Sequence, residues 1–170
     1  RDCLLSRGLG DVYKRQLNGI VDIFLPDFKY ISSEMAARYS NAPDYPEVAK
    51  RALAQMVKQT GDAKFDERDM MKRGVIVRHL ILPGHIKESK KAIRYLYETY
   101  GDQIYISIMN QYTPMPGIEK RFKNLGRTIT QREYDEVVDY AVDLGVENGF
   151  IQEGETAKES FIPQFDDTGL

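Results

Sequence analysis

The sequence of 170 residues contains one cysteine, Cys3, and two histidines. One cysteine excludes both an intramolecular disulfide and a metal site built from clustered cysteines. The histidines, His79 and His85, lie on either side of a predicted strand end, at a spacing that is unfavourable for binding one metal ion together. We therefore predict no metal site from these residues.

Other features that are common in specialised proteins are also missing. No apolar run approaches the roughly 20 residues that cross a bilayer, so no membrane partner is expected. The formal charge of −2 lacks the basic excess of a nucleic-acid-binding surface. Residues 1–16 contain no apolar core of the length that a secretory signal needs. The single cysteine favours a protein of the reducing cytoplasm. The phosphate-loop, dinucleotide-binding, serine-hydrolase and zinc-protease motifs are absent.

The first sixteen residues differ in character from the rest of the chain. They begin without methionine, fit no helix or strand period, and end in Asp11-Val12-Tyr13-Lys14-Arg15-Gln16, which resembles translated adapter sequence. We predict that residues 1–16 are a non-native leader, that residues 17–152 form the folded body, and that residues 153–170 are a polar tail. On this interpretation the native protein begins upstream of Leu17, and the sequence is its C-terminal part.

Strands alternate with amphipathic helices along the body. Apolar runs predict strands from Gly19 to Pro26 and over 74–82, 104–109 and 149–152, and residues 62–73 are expected to be irregular. The run over 74–82 is apolar on both faces, so this strand is expected to be covered on both sides. Helices are predicted over 32–39 with a serine cap, from Pro46 to about Gly61, over 87–100, and from a capping box at Thr130-Gln131-Arg132-Glu133 to a stop at Gly145. The order βααβαβαβ predicts an α/β fold with parallel strands, the C-terminal part of a partial (β/α) barrel.

Polar side chains lie directly after three of the predicted strands. Because the carboxyl ends of parallel strands meet at one edge, where ligands bind, we expect these side chains to converge there. If the first strand continues, Asp27 and Lys29 share one face. The candidate binding residues are Asp27, Lys29, Arg78, His79, Asn110 and Gln111.

Each candidate also has a purely structural interpretation. Asp27 and Lys29 can be an exposed ion pair, and Arg78 can hold a carboxylate of the neighbouring strand. His79 can be a buried core histidine, and by strand alternation only one of Arg78 and His79 faces a pocket. Asn110 and Gln111 can simply bond backbone groups of their loop.

Several unusual sequence segments resemble those of a known protein family. They are Gly19-Ile-Val-Asp-Ile-Phe-Leu-Pro-Asp-Phe-Lys-Tyr30, Tyr39-Ser-Asn-Ala-Pro-Asp-Tyr-Pro-Glu47, Val77-Arg-His-Leu-Ile-Leu-Pro-Gly84, Gln111-Tyr-Thr-Pro114 and Glu147-Asn-Gly-Phe-Ile-Gln152. From about Leu17 to Asp166 the chain resembles the C-terminal portion of radical S-adenosylmethionine proteins similar to pyruvate formate-lyase activating enzyme.

The resemblance implies a partial barrel that binds S-adenosylmethionine and a 4Fe-4S cluster, and an activase that acts on a partner protein. It implies that Asp27 and Lys29 contact the amino-acid part of S-adenosylmethionine, with Arg78 bordering the cofactor. Where the family has a histidine after the next strand, this chain has Asn110-Gln111-Tyr112. The three cluster cysteines of the family are absent, so this chain by itself is expected to be inactive.

Two other functions fit the same residues. The first is a non-catalytic α/β module that binds a ligand or partner at the strand ends. The second is a barrel lyase in which Lys29 forms a Schiff base with a carbonyl substrate.

Overall fold

A computed structural model describes residues 19–151 of the chain. The predicted leader, the tail, Gln152 and Cys3 lie outside these residues. Within them the protein has an α/β fold with a five-stranded sheet. The helices are α1 (Ser33–Ser40), α2 (Tyr45–Thr60), α3 (Ile86–Tyr100) and α4 (Gln131–Leu144), and the strands are β1 (Ile23–Phe24), β2 (Lys64–Phe65), β3 (Met71–Leu80), β4 (Tyr105–Met109) and β5 (Gly149–Ile151).

Four strands are parallel and lie in the order β1-β3-β4-β5. Parallel strands joined by helices are the arrangement of a (β/α) barrel, and these four form part of one. The prediction of a partial barrel with parallel strands is therefore confirmed.

The region over 62–73 is more regular than the sequence indicates. The short strand β2 pairs in antiparallel orientation with the beginning of β3, and β3 starts at Met71 rather than at Gly74. Asp66 organises the turn between them, since its carboxylate accepts the backbone N–H groups of Arg68 and Met70. The prediction of an irregular excursion was therefore wrong for residues 64–65 and 71–73, because β3 begins early enough in the chain to pair with β2.

The helices begin and end at capping residues and glycines that the local sequence provides. Ser32 caps α1 through its side chain, and α2 ends before Gly61. At the start of α4, Thr130 and Glu133 form the predicted capping box, and the helix ends before Gly145, which has a positive φ of 94°. Each of these signals satisfies backbone groups that a helix end would leave unpaired.

The core lies between the helices and one face of the sheet. Val75, Val77 and His79 are buried on this face of β3, whereas Ile76, Arg78 and Leu80 on the other face are only partly buried. The expectation that this strand is covered on both sides was therefore wrong for the described residues. We call the less covered face the inner face, since it corresponds to a barrel interior.

No helix among residues 19–151 is both long and apolar enough to span a membrane.

Candidate functional site

Beyond the two residues of β1, the chain stays next to β3. Asp27 forms an isolated parallel bridge with Arg78, in which Phe28 N donates to Arg78 O at 2.9 Å and Arg78 N donates to Pro26 O at 2.8 Å. Phe28 and Tyr30 are buried, and Asp27 and Lys29, which alternate with them along the chain, are exposed. The predicted alternation is thus present although the regular strand is shorter than expected.

Asp27 and Arg78 form an ion pair on the inner face. Arg78 Nη2 lies 2.7 Å from Asp27 Oδ1, and the two side chains are 41% and 42% exposed for Asp27 and Arg78 respectively. An ion pair this open to water contributes about 0–1 kcal/mol to stability. The structure thus shows the alternative in which Arg78 holds a carboxylate of the neighbouring strand. That carboxylate, Asp27, is the one for which the resemblance implies a contact with the cofactor.

His79 lies on the opposite face of β3, within the core. Its Nδ1 is 2.7 Å from the carbonyl oxygen of Phe28. A carbonyl only accepts, so Nδ1 carries a proton and donates it. Burial lowers the pKa of His79 and so favours the neutral imidazole, while the Phe28 bond and Glu88 act in the opposite direction. His79 therefore fixes, from the core side of the sheet, the carbonyl group of Phe28 that directly precedes Lys29.

A cavity of about 450 Å³ opens at the carboxyl ends of the strands. We call it the rim cavity. Two of the candidate residues, Lys29 and Gln111, line it. Asn110 directly precedes Gln111 but is not among the lining residues, which also include Tyr30, Tyr39, Leu80, Leu82, Tyr112, Thr113, Met115, Ile118 and Leu125.

The loop over 115–126 forms one wall of the rim cavity. Two short 3₁₀ turns shape it, Ile118–Lys120 and Lys123–Gly126. Tyr112 ties the loop to the sheet by donating its hydroxyl to Leu125 O at 2.9 Å. The ring of Tyr39 in α1 packs edge-on against Phe122 of this loop, with 4.9 Å between centroids.

Tyr39 and His85 form a hydrogen-bonded pair beside the rim cavity. Tyr39 Oη lies 2.8 Å from His85 Nε2, just after the turn that ends β3. Partial burial and the charge of Arg38 lower the pKa of His85, while Glu88 and Glu133 oppose them. The sequence did not predict the contact between His85 and Tyr39, because the two residues meet only through the tertiary fold.

Glu133 links α4 to the turn between β3 and α3. Its carboxylate accepts the N–H of Gly84 at 2.8 Å and of Thr130 at 3.0 Å. Arg127 adds two hydrogen bonds of 2.6 and 2.8 Å, and this guanidinium, with the backbone donors, holds the pKa of Glu133 far below its ordinary value. This carboxylate positions two of the segments around the rim cavity.

We expect Glu133→Ala to lower the free energy of unfolding by about 1–2 kcal/mol at pH 7, because the helix loses its cap and Gly84 loses an acceptor. Since the folded-state pKa of Glu133 is depressed, its stabilisation is complete above the ordinary value near 4.5 and is lost as the pH falls further. Urea unfolding at pH 7 and pH 3 checks both statements. The control Glu136→Ala removes an exposed partner of Lys90 and should cost at most about 0.5 kcal/mol; equal losses in the two variants would contradict this role.

A second cavity, of about 340 Å³, lies between α2 and the strands. Asp27 and Phe28 border it, and most of the other lining residues are apolar side chains of α2. Asp27 and Lys29 therefore adjoin different cavities.

No group of three or more histidine, cysteine, aspartate or glutamate side chains within 19–151 could hold a metal ion.

Comparison with known proteins shows a distant similarity to part of a longer protein. No family model matches the chain. The chain is 28% identical over 125 residues to an uncharacterized protein of Methanocaldococcus jannaschii, an alignment that covers 74% of this chain and 32% of that protein. The chain therefore matches about a third of the relative's length.

Proposed function

We propose that the rim cavity binds S-adenosylmethionine and that the chain is part of a radical S-adenosylmethionine protein of the activating-enzyme type. The observation that carries this proposal is the position of Lys29. It is an exposed cation at the carboxyl edge of a parallel sheet, it lines a cavity of about 450 Å³, and it makes no ion pair within the described part of the chain.

The cavity offers complementary groups for such a ligand. A lysine ammonium pairs with the methionine carboxylate, and the Gln111 amide can bond polar atoms beside it. The volume falls within the 300–1,000 Å³ that small-molecule sites span, and the apolar and tyrosine walls fit the usual composition of such sites. Asp27 borders the second cavity and is paired with Arg78, so no contact with the ligand is assigned to it.

The residues present do not fit an iron–sulfur cluster. Such clusters are held by cysteine thiolates, and the single cysteine of this sequence cannot supply three. We therefore propose cofactor binding for this chain without any reaction step that passes through a cluster. In an activase the molecule acted upon would be a partner protein.

Calorimetric titration with S-adenosylmethionine tests the proposal. We expect Lys29→Met to weaken binding by about 10–100-fold, the range that corresponds to one charge-assisted hydrogen bond. Binding of 5′-methylthioadenosine, which lacks the amino-acid part, should change by less than about twofold.

Lys91→Met is the matched control, because Lys91 is exposed on α3, away from the rim cavity. It should leave both affinities unchanged. If Lys29→Met weakened both ligands equally, or neither, the assigned contact would be wrong. If the unaltered protein failed to bind S-adenosylmethionine, the proposed function would be wrong.

A further inference from the structure

Two segments that border the rim cavity carry an excess of positive charge. Four cationic side chains belong to α1 and to the loop over 115–126, and all four are exposed. We call them the basic rim: Arg38, Lys120, Arg121 and Lys123. The complete chain has a formal charge of −2, so this local excess runs against the overall balance.

The two segments of the basic rim are held together by aromatic contacts. The guanidinium of Arg38 lies 5.4 Å from the ring centroid of Tyr39, and that of Arg121 lies 4.9 Å from the ring centroid of Phe122. The rings of Tyr39 and Phe122 are themselves in edge-on contact. The arginines therefore flank one aromatic cluster beside the rim cavity.

These cations are not neutralised by the fold. Within residues 19–151 none of the four forms an ion pair. By contrast Arg127, just after the loop, forms an ion pair with Glu133 through two hydrogen bonds. The carboxylates on the same two segments are Glu34 and Glu119, which leaves a net excess of cations. Exposed guanidinium and ammonium groups beside a pocket raise the local concentration of anionic partners.

The loop also has the apolar surface of a docking site. Met115 is 70% exposed at the mouth of the rim cavity. Gly126 lies so close to Glu119 that a Cβ added at Gly126 would be 2.5 Å from the Glu119 Cβ. This close contact holds the two 3₁₀ turns of the loop against each other. Methionine, aromatic and arginine side chains are enriched in surfaces that bind proteins.

We propose that the basic rim binds an acidic segment of a partner protein and presents that segment at the rim cavity. This inference rests on the proposed function in so far as it requires a protein partner, but it makes a statement that can be tested without cofactor. The carboxylates of the partner meet Arg38, Lys120, Arg121 and Lys123, and its apolar side chains meet Met115 and the aromatic cluster.

The test measures binding of a fluorescein-labelled twelve-residue peptide of alternating glutamate and alanine with a central tyrosine. The full chain should bind it, with weaker binding as sodium chloride rises from 50 to 300 mM. Replacing glutamate by glutamine in the peptide should abolish binding. The triple variant Arg38→Gln, Arg121→Gln and Lys123→Gln should weaken binding at least tenfold.

A second triple variant, Arg51→Gln, Lys58→Gln and Lys91→Gln, is the matched control. It removes the same charge from exposed positions of α2 and α3 and should change binding less than twofold. Equal losses in both triples, equal binding of the glutamine peptide, absence of binding, or tighter binding of a twelve-residue oligothymidylate through the basic rim would each overturn the proposal. Loss of S-adenosylmethionine binding with retained peptide binding would contradict only the proposed function.

Discussion

Replacing Phe28 with alanine should lower the free energy of unfolding by about 3–5 kcal/mol. The side chain is 2% exposed and stacks on Tyr95 of α3 with 5.7 Å between ring centroids. Removing it would leave a cavity between the extension of β1 and that helix. Urea unfolding monitored by circular dichroism measures the loss.

Phe65→Ala is the matched control for this substitution. Phe65 is 40% exposed and contacts Tyr105, so its loss should cost only about 1 kcal/mol. If Phe28→Ala were no more damaging than Phe65→Ala, the extension of β1 would not be fixed to the core. Because Phe28 lies between Asp27 and Lys29, the positions of both depend on this anchor.

The second large effect concerns His79. His79→Leu should cost about 1–3 kcal/mol, because the buried carbonyl of Phe28 would lose its donor. His79→Gln should cost less, since its amide N–H can replace the donated hydrogen bond. Urea unfolding at pH 7.5 compares the two variants.

The same histidine should make stability depend on pH. The folded-state pKa of His79 is depressed below its ordinary value of 6.5, so the unfolded chain binds the proton more readily. The stabilisation is complete above about pH 6.5 and is lost as the pH falls through the folded-state pKa. Unfolding at pH 7.5, 6.5 and 5.5 should show this slope in the unaltered protein and a smaller slope in His79→Gln.

His85→Gln is the control. Burial lowers the pKa of His85 as well, but this side chain is less buried than His79. Removing His85 should therefore reduce the pH dependence of stability less than removing His79 does. A slope unchanged in His79→Gln would show that another group causes the pH dependence.

The parts of the fold that sequence predicted well depend on neighbouring residues. The serine cap of α1, the Thr130–Glu133 capping box and the stop at Gly145 each need only residues within one helical turn. Alternation placed Arg78 and His79 on opposite faces for the same reason. The parallel order of the strands could be inferred from the alternation of strands with helices.

The features that the sequence missed depend on long-range pairing. The short β2 exists because β3 extends far enough to pair with it, and two residues carry no period of their own. The choice of Arg78 as partner of Asp27 depends on the register between their strands, which the sequence left open. Tyr39 lines the rim cavity and contacts His85 and Phe122, and no local sequence pattern indicates these contacts.

The most direct test is to locate S-adenosylmethionine on the protein by nuclear magnetic resonance, from backbone amide shifts during a titration. We predict the largest shifts at Lys29 and Tyr30, at Leu82, and at Gln111 to Thr113, all of which line the rim cavity. Shifts confined to the second cavity, at Val48, Ala52 and Met56 of α2, would contradict binding at the rim cavity, as would a spectrum that the ligand leaves unchanged.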